Sequence, residues 1–102
     1  MPLDWASGTA KLEQAIAAYR EALKERTRER VPLAWAASFG DQGITLLRLA
    51  VRTKDSAKAE TAYLQIEAAL ETMRAGGNAP LAAYYEARLL DARRIRDGLK
   101  AP

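Results

Sequence analysis

A stretch of this chain returns 47 residues after its first appearance. Ala10-Lys11-Leu12-Glu13-Gln14-Ala15 reappears as Ala57-Lys58-Ala59-Glu60-Thr61-Ala62, and Ala22-Leu23 as Ala69-Leu70. Pro-Leu recurs at Pro2-Leu3, Pro32-Leu33 and Pro80-Leu81, the first two continuing as Leu3-Asp4-Trp5-Ala6 and Leu33-Ala34-Trp35-Ala36. A period of this length marks a chain built from stacked copies of one supersecondary unit. Such a unit cannot bury its apolar face alone and is stabilised by its neighbours, so the expected product is a surface for other proteins rather than a pocket for chemistry.

The unit is helical. Leu12, Ala15, Ile16, Tyr19, Ala22 and Leu23 fall on one stripe of a 3.6-residue period, opposite Lys11, Glu13, Arg20, Glu21 and Lys24. The spacing predicts a first helix from about Ala10 to Arg28, capped by Ser7 or Thr9. Val31 is pushed out of helical geometry by Pro32, which itself suits the first position of a second helix reaching roughly to Arg52. That segment is apolar round much of its circumference, from Leu33 and Trp35 to Leu49 and Val51, so it must be covered on more than one side. A third helix is predicted from about Ala57 to Ala75, capped by Asp55 or Ser56 and ended by a left-handed residue in Gly76-Gly77. A fourth runs from Pro80 to about Asp97, closed by Gly98, with one face for the core and one for water. No strand-period alternation longer than a few residues occurs. The expected class is all-α, with about four helices in antiparallel pairs.

Composition narrows the function. Neither cysteine nor histidine is present, which removes the commonest general base, the usual transition-metal ligands and the thiol nucleophile together. No catalytic, cofactor-binding or metal-ligating residue is assigned. The amino terminus lacks the basic start and apolar run of a signal peptide, and no stretch approaches the ~18 uninterrupted apolar residues of a spanning helix, so the simplest expectation is a cytoplasmic protein. Net charge is +3, but the segment from Lys24 to Arg30 mixes signs at nearly every step and reads as a solvated helix end. Arg88, Arg93, Arg94, Arg96 and Lys100 are more one-sided. Asp91 and Asp97 dilute that set, and basic residues in a last helical turn favour the helix dipole, so nucleic-acid binding is the lesser reading.

Ala15-x-x-x-Tyr19-x-x-Ala22-Leu23 and Ala62-x-x-x-Ile66-x-x-Ala69-Leu70 resemble the second helix of tetratricopeptide repeats. Gly43, with Trp35 upstream, resembles the glycine and aromatic positions of that family's first helix, and Pro80 the proline that closes a unit. The usual unit is about 34 residues, so the 47-residue spacing is similar to an extended form. The run from Ala15 to Arg26, followed by Val31-Pro32-Leu33-x-Trp35-Ala36, is especially like bacterial proteins that carry extended repeats. Three departures stand out. Gln42 replaces the leucine that the family prefers, Gly40 one turn earlier loosens the helix at about 1 kcal/mol, and the first unit is incomplete. Pro2 to Pro32 is 30 residues against 48 from Pro32 to Pro80, so the difference of 18, most of a helix, is expected to be missing. The resemblance implies a fragment of an α-solenoid: an incomplete unit over 2–31, a complete unit over 32–79 and a capping helix over 80–99.

In that family the concave surface is lined by the first helix of each unit. Carried to this chain, the resemblance implies a peptide-binding face of Ala37, Gly40, Ile44 and Arg48 on the second helix with Tyr85, Arg88 and Arg96 on the fourth. Arginines among apolar groups suit a protein or peptide partner with acidic or carboxylate groups. The expected function is a non-catalytic protein–protein interaction or self-association module. The alternatives are a basic helical nucleic-acid-binding domain, a carboxylate-based enzyme, and a fragment of a longer array with no separate activity. Trp5 and Trp35 read as structural corners, Tyr84-Tyr85 as packing on the third helix, and Glu67 with Glu71 as a solvated face. The first helix lacks one of its two covers, so a homodimer is expected across a two-fold axis through Leu12, Ile16, Tyr19 and Leu23, unless Leu3 and Trp5 fold back over that helix.

Overall fold

Four helices build the chain in a computed structural model that describes residues 3–101, with side chains from Thr9 onward. They are α1 (Leu3–Glu25), α2 (Pro32–Thr53), α3 (Ser56–Ala75) and α4 (Ala79–Lys100). No strand occurs among the described residues, and the class is all-α.

Each junction has a local cause. Val31 is non-helical, with φ −139° and ψ 72°, and Pro32 opens α2 with a residue that leaves no N–H unpaired. The helix ends at Lys54, whose φ of 53° lies in the left-handed region, while the Asp55 N–H donates to the Ala50 carbonyl at 3.0 Å. Asp55 then caps α3, its carboxylate accepting from the Lys58 N–H at 3.1 Å and from the Lys58 ammonium at 2.9 Å. Gly77, at φ 73°, supplies the left-handed turn after α3, and the Asn78 side chain accepts from the Leu81 N–H at 3.2 Å to start α4.

Two boundaries differ from the sequence reading. α1 runs unbroken through Ser7, Gly8 and Thr9, where a cap was expected, so the Leu3 segment is the first turn of the same helix and not the stub of a separate one. A glycine inside a helix costs only about 1 kcal/mol, which the turns on either side outweigh. Gly98 lies inside α4 for the same reason. At its other end α1 stops at Glu25, short of Arg28. There Arg30 donates to the Glu25 carbonyl at 3.2 Å, and Arg26 reaches across to the Ser38 hydroxyl of α2 at 3.1 Å. The fold-back of Leu3 and Trp5 lies outside the described side chains.

α2 is the central element. It packs against α1 and α3 and grazes α4; α3 lies between α2 and α4; among the described residues α1 packs against α2 alone. The main core is drawn from the last three helices, with Ile44 and Leu47, then Ile66, Leu70 and Met73, then Tyr85, filled in by Ala36, Ala50, Ala59, Ala62, Ala69, Ala82 and Ala92. So many alanines bring the helix axes close. Gly43 and Gly40 take this further: a Cβ at Gly43 would sit 3.0 Å from Ile66 Cγ1 and 3.2 Å from the Ala62 carbonyl, and one at Gly40 would meet the Tyr85 ring at 2.6 Å and Ala69 Cβ at 2.9 Å. Gly40 is therefore a point of close approach rather than a loosened turn. At the α1–α2 corner Trp35 stacks on Phe39 at 4.8 Å, with the Arg28 guanidinium 4.8 Å from the indole ring.

Candidate functional site

The open side of α2 forms the floor of a groove. Asp41, Ile44, Thr45, Arg48, Val51 and Arg52 recur every three or four residues and so share one face of the helix. Leu12 and Tyr19 of α1 stand on one side of that face, and Tyr84, Arg88, Asp91, Arg94 and Ile95 of α4 on the other. Three adjoining depressions make up the groove, of about 350, 250 and 240 Å³, and Arg48 lines all of them. The largest is the most apolar, lined by Leu12, Leu47, Val51 and Ile95 with Arg48 and Arg52 at its rim.

Charge in the groove is unbalanced. Four arginines line it, Arg48, Arg52, Arg88 and Arg94, against two aspartates, Asp41 and Asp91, an excess of two positive charges. Arg88 pairs with Asp91 at 3.1 Å and lies 5.4 Å from the Tyr84 ring centre, while its Nε is buried with no hydrogen-bond partner. Asp41 is engaged from below, accepting from the Tyr85 hydroxyl at 3.0 Å. Arg48, Arg52 and Arg94 are exposed and form no ion pair with any described side chain. An apolar floor flanked by free guanidinium groups is suited to binding, since arginine meets a carboxylate with two parallel hydrogen bonds.

Of the residues that the sequence placed on this face, Ile44, Arg48 and Arg88 come together in the groove, and the others lie elsewhere. Gly40 is buried beneath Tyr85 and Ala69. Tyr85, 2% exposed, is a core residue whose hydroxyl donates to the Ala37 carbonyl at 3.2 Å as well as to Asp41. Burial first, and the Asp41 charge second, push its pKa well above the ordinary tyrosine value. It thus packs into α2, not onto α3 alone, and Ala37 serves as its acceptor. Arg96 points away from the groove, lying over the Tyr63 ring of α3 at 4.4 Å and beside Glu60 at 3.7 Å. The 48-residue offset that equates Arg96 with Arg48 fails because α4 turns that face towards α3.

The proposed self-association residues divide in the same way. Leu12 and Tyr19 line the groove. Ile16 is 9% exposed, beside Leu46 and Leu49 of α2, and cannot serve an outward contact. Leu23 is half-buried one turn beyond Tyr19. The basic set is largely engaged: Arg88 with Asp91, Arg96 with Asp97 and Glu60, Lys100 with Glu60, and Arg93 with the Tyr63 hydroxyl. Sequence reasoning missed Arg52, Arg94, Leu47, Val51 and Ile95. On α2 the signal was available, since Arg52 and Val51 continue the turn-by-turn series from Asp41 and Ile44.

A separate depression, of about 370 Å³, lies at the α3–α4 turn, crossed by the Arg74–Glu86 ion pair. Among the described residues no cluster of acidic side chains has the arrangement of a metal site. No family model matches this chain, and no curated protein or solved structure matches it.

Proposed function

We propose that this protein is a non-catalytic protein–protein interaction module of the tetratricopeptide-repeat type, holding an acidic, partly apolar segment of another protein in the groove over α2. The observation that carries this reading is the pairing of an apolar floor, Leu47, Val51 and Ile95, with three exposed arginines that form no ion pair with any described side chain. An amphipathic helix or extended peptide would lay apolar side chains on the floor and direct carboxylates to Arg48 and Arg94. Arg48, common to all three depressions, is the central contact. The reading includes a cytoplasmic setting; no described helix is long and apolar enough to cross a membrane. The nucleic-acid alternative draws less support, because four of its five basic residues already contact acidic or tyrosine side chains.

The test is an NMR titration with a synthetic amphipathic peptide of leucine and glutamate. Binding is expected to shift the amides of Ile44, Leu47, Val51 and Ile95. The Arg48→Ala/Arg94→Ala variant should lose about tenfold or more in affinity, the worth of one or two charge-assisted contacts. Undiminished affinity in that variant, or shifts confined to other surfaces, overturns the proposal. Binding of duplex nucleic acid that weakens steeply with salt would favour the alternative instead.

A further inference from the structure

Among the described residues α1 is covered by one neighbour only, and the internal repeat shows what such a helix lacks. On α3, Ala62 and Ala69 are fully buried where α2 approaches them through Gly43 and Gly40. Their equivalents 47 residues earlier, Ala15 and Ala22, are half-buried, and Ala18 between them is exposed. Lys11, Ala15, Ala18, Ala22 and Glu25 follow one another at intervals of four, three, four and three residues, which draws a 3.5-residue seam along the open flank of the helix. Small residues occupy its middle and permit close approach. Opposite charges occupy its ends: Lys11 and Glu25 are both exposed, and neither forms an ion pair with a described side chain.

We infer that this seam is the contact between two copies of the chain, joined antiparallel across a two-fold axis at Ala18. Lys11 and Glu25 each stand seven residues from Ala18, about 10 Å along the helix. The axis therefore sets Lys11 of one copy level with Glu25 of the other, twice over. Parallel pairing sets lysine against lysine and glutamate against glutamate, so the charges choose the antiparallel arrangement. A seam with one charge of each sign at equal distances from its centre is complementary to itself, the requirement of an isologous contact. Unlike Ile16, no member of the seam is buried against α2, and unlike Leu12 and Tyr19, none lines the groove. Dimerisation therefore leaves the groove open and stands apart from the binding role proposed for it.

Sedimentation equilibrium of the full chain, from micromolar to millimolar concentration at low salt, tests this. The mass should rise from 11.2 kDa towards twice that value. Lys11→Glu should weaken the dimer by about tenfold, because each two-fold contact then faces glutamate with glutamate, with helicity unchanged. Lys11→Glu/Glu25→Lys should restore it by exchanging the charges. A mass of 11.2 kDa at every concentration overturns the inference. So does a dimer indifferent to Lys11→Glu, or one that the double exchange fails to restore. Peptide binding measured on the same variants tests the groove separately.

Discussion

α1 and α3 carry the same stripe 47 residues apart and end in different surroundings. On α3, Ala59, Ala62, Ile66, Ala69 and Leu70 are at most 3% exposed, held between α2 on one side and α4 on the other. On α1 the matching Leu12, Ala15, Tyr19, Ala22 and Leu23 are all half-buried, and no α1 side chain among the described residues belongs to the main core. Nearly the same pattern of side chains thus builds a core where two helices enclose it and an accessible flank where one does. Burial here is set by the number of neighbours, as expected of a stacked fold in which each unit is stabilised by the next.

The largest effect should separate the two helices directly. Leu70→Ala removes a fully buried side chain and is expected to cost about 2–5 kcal/mol, whereas Leu23→Ala, the same change at the matching position, should cost about 1 kcal/mol. Urea denaturation of both variants measures this. Equal losses would mean that α1 is enclosed as tightly as α3, and the contrast between them would fall.

A smaller effect probes close approach rather than cavity formation. Ala69→Leu adds bulk where Ala69 Cβ already crowds Gly40, the glycine on which the Tyr85 ring also packs, and overpacking of that kind costs about 1–3 kcal/mol. The repeat alone suggests the same penalty at Ala22. The open flank of α1 argues otherwise: Ala22→Leu in dilute monomer should stay within about 0.5 kcal/mol of the parent in thermal or urea melts. A full penalty at Ala22 would show that something besides α2 covers the helix even in the monomer.

The two helices also show what was legible in the sequence. Apolar periodicity and caps are local properties, so the helix count, the α2 and α3 boundaries to within a residue and Asp55 as one of two candidate caps could all be read directly. Enclosure is not local. Ile16, Ala15 and Leu12 share one stripe, yet only packing decides that Ile16 meets α2 while Ala15 faces outward. Gly40 reads in sequence as a weak point because glycine disfavours helices; its value lies in leaving room for Tyr85, a residue 45 positions away. In the groove, Ile44, Arg48 and Arg88 were recoverable from the repeat. Arg94 and Ile95 were not, because the offset presumes that α4 presents the face α2 presents, and the Arg96 contact with Tyr63 fixes a different rotation.

The smallest effect compares the starts of two helices. α2 begins without a side-chain acceptor at Val31, whereas α3 begins at Asp55, whose carboxylate accepts from Lys58 through both side chain and backbone. The Lys58 side-chain hydrogen bond first, and its backbone N–H second, hold the Asp55 pKa below the usual carboxylate value. A pKa depressed by folding gives stabilisation that is complete above the unfolded value of about 3.9 and disappears as pH falls through the folded value beneath it. Asp55→Asn isolates the charge, because asparagine caps a helix about as well as aspartate. At neutral pH and low salt the parent should melt slightly higher than Asp55→Asn, and the gap should close on acidification below about pH 4 and shrink in high salt, as expected of an exposed pair. A gap that persists unchanged through acid would assign the cap to neutral hydrogen bonding alone. The advantage of the α3 start over that of α2 would then owe nothing to electrostatics.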